Sequence, residues 1–143
     1  MINLLLGVLA AILLLVYLRH RSWAQRRHSL AIALFIAALI YVGFGVYAQS
    51  AKQLVWELGG LIVYTSFAFM AFRGRSSLSF LFLVIGWILH AVWDVYVHAP
   101  AHELYAPSFY PDLCLGFDLI IAGYAMAGLN AKENVMENTR KNG

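Results

Sequence analysis

Five apolar runs separated by short polar breaks organise this chain: Ile2–Leu18, Leu30–Ala48, Leu54–Phe72, Leu78–Ala99 and Asp112–Asn130. A helix rises about 1.5 Å per residue and a hydrocarbon core is about 30 Å thick, so each run is long enough to cross as a helix. Continuous apolar runs lack the alternation of a membrane β-barrel, which leaves helices as the spanning element. The pattern predicts an all-α integral membrane bundle of five transmembrane helices, with sequential helices packed as antiparallel neighbours. A single domain covers residues 1–131, and a short polar tail, expected to fray and to lie in the cytoplasm, covers 132–143.

The positions of the basic residues give the bundle a direction. Arg19, Arg21, Arg26 and Arg27 follow the first run, Arg73 and Arg75 the third, and Lys132, Arg140 and Lys141 the fifth. Only Lys52 falls on the opposite side. The positive-inside rule then puts the N-terminus outside and the C-terminus in the cytoplasm, as an odd number of spans requires. The first run has no positive charge before it, so it reads as a retained helix and not as a secretory signal.

Composition supports this class. Of 143 residues, 62% are hydrophobic and only 12% charged, against about 25% charged in a soluble domain. The net charge of +3 is explained by topology and gives no sign of a nucleic-acid partner. Cys114 is the sole cysteine, which excludes an intramolecular disulfide and a cysteine-cluster metal site.

The chemistry lies in the fourth run. His90, Asp94 and His98 follow one another at intervals of four, so they drift by only about 80° around a helix and share a side. An Asp near the centre of a membrane helix costs about 2.5–3.5 kcal/mol on insertion scales, so it needs a use or a partner. Direction then gathers other residues. Glu57 lies about one turn below the outer end of the third span, and Cys114 and Asp118 lie in the outer half of the fifth. Glu57, Asp94 and Asp118 are expected within a few ångströms of one depth, with His90 deeper and with Tyr41 and Tyr47 on the same side. The segment Pro100–Pro111 holds all three prolines, with His102, Glu103, Tyr105, Phe109 and Tyr110. It is expected to cap this outer-leaflet region as a fairly stiff loop.

Imidazole and carboxylate ligands suit Zn, Mn or Fe. The natural ligand set is His90, Asp94 and His98, completed by Glu57 or Asp118. The same Glu57, His90, Asp94 and Asp118 could serve as acid–base groups on a lipid or small amphipathic molecule. Two other readings remain open. One is a proton- or ion-linked transporter or sensor, which in a bundle this small would need a homo-oligomer. The other is an accessory membrane protein whose polar residues only specify helix packing. Asp112 reads as a helix N-terminal charge, and Cys114 as a small apolar filler. Glycines 43, 45, 59, 60, 116 and 123, with Ala127, are candidates for close helix approach.

Trp56-Glu57-Leu58-Gly59, the pattern Gly86-Trp87-x-x-His90-x-x-Trp93-Asp94 with His98 after it, and Cys114-Leu115-Gly116-Phe117-Asp118 carry a resemblance. Over roughly Tyr41 to Gly128 the chain resembles a family of small bacterial and fungal membrane proteins known as a domain of unknown function. That resemblance implies a polytopic membrane protein of this size and supplies no activity. The expected location is the bacterial cytoplasmic (inner) membrane. In layout the chain is also similar to membrane sterol isomerases, which place acidic and histidine side chains in a lipid-facing pocket. No motif matches them residue by residue, so the likeness is architectural only.

Overall fold

The computed structural model describes residues 1–74, 78–96 and 105–141, with side chains to residue 129. Five helices follow in order: α1 (Ile2–Leu18), α2 (Trp23–Tyr47), α3 (Ala51–Arg73), α4 (Leu78–Tyr96) and α5 (Tyr110–Lys141). The described residues contain no strand. Four helices, α2 to α5, are long and apolar enough to cross a membrane, and α1 is a shorter apolar helix of 17 residues.

Helix ends depart from the apolar runs where capping overrides hydropathy. α2 begins at Trp23, well before Leu30, because Ser22 accepts from the Gln25 backbone while the Gln25 side chain accepts from the Ser22 backbone. This reciprocal box satisfies donors that a helix start otherwise leaves unpaired. Gln49 takes φ 51° and closes α2, and Ser50 then caps α3 by accepting from Gln53. α5 starts at Tyr110 with Asp112 in its first turn, where a negative charge opposes the helix dipole favourably. α5 also continues to Lys141, so the expected frayed tail is instead helical backbone. Ala131, Lys132, Glu133, Met136 and Glu137 are good helix formers, and no proline or glycine interrupts them.

Sequential pairing is antiparallel for α2–α3, α3–α4 and α4–α5, but α1 packs on α5 and not on its sequence neighbour α2. Gly45 meets Leu54 at one end of the α2–α3 hairpin, and His28 stacks on Phe72 at 4.2 Å at the other. α4 is the central element and packs on α2, α3 and α5. The core is built from Leu30, Leu34, Leu83, Trp87, Ile121 and Ala125, with Tyr64 and Ala68 closing it from α3. Large apolar side chains such as Leu5, Leu13, Ile32, Ile62, Val92 and Leu119 are at least half exposed. That outward apolar surface, with the long apolar helices, suggests a membrane-embedded protein.

α1 sits against α5 through backbone contact. A Cβ on Gly7 would lie 1.9 Å from the Leu113 carbonyl oxygen, and one on Gly116 would lie 2.2 Å from that of Leu4. Such small-residue crossings replace the hydrophobic driving force that is missing in lipid. Gly45 and Gly60 are also closely approached, the latter by the Trp93 ring. Gly43, Gly59 and Gly123 face open space and Ala127 is exposed, so the expectation of close approach fails at these four. Helical spacing puts them on outward faces.

Candidate functional site

Four side chains from three helices meet in the interior of the bundle. α4 supplies His90 and Asp94 one turn apart, α5 supplies Asp118, and α2 supplies Tyr41. Each is at most 1% exposed. His90 Nδ1 lies 2.8 Å from Asp118 Oδ2 and 3.5 Å from Asp94 Oδ2. The Tyr41 hydroxyl donates to Asp94 Oδ1 at 2.5 Å. His90, Asp94 and Asp118 can each offer one ligand atom within 4.8 Å of the others.

Rings fix the imidazole from three sides. Tyr64 lies edge-on at 4.9 Å, Tyr41 at 5.8 Å and Trp87 at 6.2 Å between ring centroids. Tyr64 is held in turn by donating to the Leu89 carbonyl at 3.1 Å. Tyr41 packs against Phe44 and Tyr110, so its hydroxyl has little freedom to leave Asp94.

The proton count leaves this group incomplete. One imidazole nitrogen carries at most one hydrogen, and two carboxylate oxygens face it. Asp94 Oδ2 and His90 Nε2 are buried with no hydrogen-bond partner among the described residues. The described arginines sit at the opposite end: Arg27 precedes Tyr41 by fourteen residues on α2, about 21 Å along the axis. The group therefore sets two carboxyl groups against one imidazole in an apolar interior, where a charge left uncompensated by a proton or a cation is costly.

Glu57 is buried too, at 1% exposure, but it lies outside the group of converging ligand atoms. Its Oε1 accepts from Gln53 Nε2 at 3.4 Å, one turn earlier on α3. Gln53 also binds the residues before α5 by two bonds: its Nε2 donates to the Tyr105 carbonyl at 2.7 Å, and its Oε1 accepts from the Tyr105 N–H at 2.9 Å. Glu57 thus belongs to a polar link from α3 through Gln53 to Tyr105. Glu57 shares the buried face of α3 with Gly60 and Tyr64, which meet Trp93 and His90, so the antiparallel register carries it further along the axis than Asp94. His98, with His102 and Glu103, lies outside the described residues.

Tyr41 is the neighbour of this group that spacing underrated. The sequence shows it as a polar residue in the C-terminal half of the second apolar run, yet nothing in the sequence pairs it with Asp94 across 53 positions. Cys114 is buried with no disulfide partner, one turn before Asp118.

A family of unknown function, DUF6010, matches residues 2–131. The chain belongs to the DUF6010 family. The match takes in all of α1 to α4 and the apolar part of α5, so it is wider than the Tyr41–Gly128 stretch that carried the resemblance. No curated protein and no solved structure matches the chain. For this DUF6010 protein, the His90–Asp94–Asp118 group is the feature from which chemistry has to be argued.

Proposed function

We propose that this protein is a five-span membrane protein that holds a divalent transition metal ion through His90, Asp94 and Asp118. One observation carries the reading: two buried carboxylate oxygens face a single imidazole nitrogen, at 2.8 and 3.5 Å. Ligand atoms about 2.0–2.2 Å from one ion lie roughly 2.9–3.5 Å from each other, so replacing the Nδ1 hydrogen by an ion needs only small shifts. The ion would neutralise the second carboxylate and satisfy Asp94 Oδ2. Tyr41 would act beyond the ligands, holding the second oxygen of Asp94 and fixing the carboxylate's orientation. Imidazole with carboxylate favours Zn, Mn or Fe over softer ions.

The topology supporting this reading has the N-terminus outside and the group in the outer half of the membrane. At 17 residues α1 falls at the short end of the lengths that cross, and its exposed Leu5, Leu9, Leu13 and Val16 suit lipid contact. The basic residues at the α1–α2 and α3–α4 connections suit a cytoplasmic face. The site residues are closed off from solvent, which favours ion holding over turnover of a bulky substrate.

A second reading has its own support. The bonds from His90 to Asp118 and from Tyr41 to Asp94 close without an ion, so a proton-bearing packing network also fits. Thermal shift on chelator-treated, detergent-purified protein separates the two. Metal holding requires that Zn, Mn or Fe salts raise the melting temperature of wild type and leave Asp94→Asn and Asp118→Asn unmoved. The packing reading requires that none of the salts shifts wild type, while both variants melt earlier.

A further inference from the structure

The opposite half of the bundle carries a second recognition feature, independent of the buried acids. Between α2 and α3, residues Ala31, Ile32, Phe35, Thr65, Ala68, Phe69 and Phe72 line an open groove of about 190 Å³. Its walls are almost wholly apolar, and it runs along the outer surface of the two helices towards their basic ends. Phe72 is stacked by the His28 ring at 4.2 Å, and Phe69 lies under the Arg73 guanidinium at 5.8 Å. Arg27, one turn before Ala31, reaches His28 with Nη2 at 3.2 Å. Arg27 is only 8% exposed, and its Nε is buried without a partner among the described residues.

An apolar groove on a membrane protein would accept any acyl chain. This groove ends at two guanidiniums and an imidazole with no described carboxylate bonded to them. Arginine presents a planar fork of donors matched to phosphate oxygens, and basic residues near the membrane surface favour anionic lipid by about five-fold each. Arg26 is not part of this feature: it donates to Tyr124, Arg21 and Arg19 and covers Trp23, tying the α1–α2 connection to α5.

We infer that the α2–α3 groove is a binding site for an anionic phospholipid, with an acyl chain along Ile32, Phe35 and Phe69 and its phosphate at Arg27, His28 and Arg73. The lipid satisfies the unpaired Arg27 donor and covers the exposed apolar walls. It leaves the His90–Asp94–Asp118 group untouched.

Native mass spectrometry of the full chain, delipidated and then titrated with dioleoylphosphatidylglycerol or dioleoylphosphatidylcholine, tests this. Wild type should retain the phosphatidylglycerol adduct at least about five-fold better than the phosphatidylcholine adduct. Arg73→Gln should remove most of that preference while keeping the fold, since Arg73 is exposed. Ile32→Trp, at a position 51% exposed, should weaken both adducts by filling the groove. Equal retention of the two lipids by wild type overturns the inference, and so does an unchanged preference in both Arg73→Gln and Arg27→Gln. Free phosphate at millimolar concentration should not displace the lipid. Displacement would show that the site reads phosphate alone and would overturn the acyl-chain assignment.

Discussion

His90 on α4 and Asp118 on α5 meet at 2.8 Å although 28 residues separate them in sequence. Asp94 reaches the same imidazole from one turn along α4, at 3.5 Å. The cross-helix bond therefore docks α5 on α4, while the pair within α4 supplies the second carboxylate. Removing either acid should have different consequences from removing the histidine.

Asp118→Ala leaves His90 without its closest partner and should be strongly destabilising, by about 3–5 kcal/mol, the usual cost of breaking a buried pair. Asp118→Asn keeps the shape and an acceptor and should cost less. Both are read as the midpoint of denaturant-induced unfolding in mixed micelles. Equal, negligible losses would show that the bond does not hold the helices together.

Tyr41→Phe keeps the ring against Phe44 and Tyr110 and deletes one donor to Asp94. Interhelical hydrogen bonds in membranes are worth about 1–2 kcal/mol at most, so a loss of that size in the same unfolding assay is expected. Metal retention should also weaken, because Asp94 loses its orienting bond. If Asp94 needs no orientation, Tyr41→Phe will retain metal as wild type does.

Gly116→Ala puts a methyl group 2.2 Å from the Leu4 carbonyl. The α1–α5 crossing must open, at a cost of roughly 1–3 kcal/mol, and protease should gain access to α1. Gly123→Ala, on the same helix but facing open space, is the control and should behave as wild type. Equal sensitivity of the two would contradict the close approach.

Gln53→Ala releases both backbone bonds at Tyr105. Amide exchange at residues 105–109 should quicken, with little change in α4. Unchanged exchange would mean that the residues before α5 are held by other contacts.

The five helices are legible in the sequence because each is apolar over most of its length, and an uninterrupted apolar run of this length identifies a helix. Their ends are not, because a cap such as Ser22–Gln25 acts through local hydrogen bonds that hydropathy does not weigh. The convergence of His90, Asp94 and Asp118 followed from spacing and depth, since i, i+4 residues share a face and antiparallel neighbours bring equal depths together. Glu57 is on the inward face of α3 with Gly60 and Tyr64 but further along the axis than the group, and a single sequence does not fix the axial register between two helices. Tyr41 shows the converse: its hydroxyl is ordinary in sequence and becomes specific only because α2 packs on α4.

The metal reading is tested most directly by elemental analysis of the protein after chelator-free purification, alongside His90→Ala and Asp94→Asn prepared identically. Wild type is expected to carry close to one equivalent of Zn, Mn or Fe per chain. The variants should be depleted, and wild type should release its ion on acidification, because the ligands must be deprotonated to bind. Wild type with less than about a tenth of an equivalent, or variants that hold as much metal as wild type, would contradict ion holding at His90, Asp94 and Asp118.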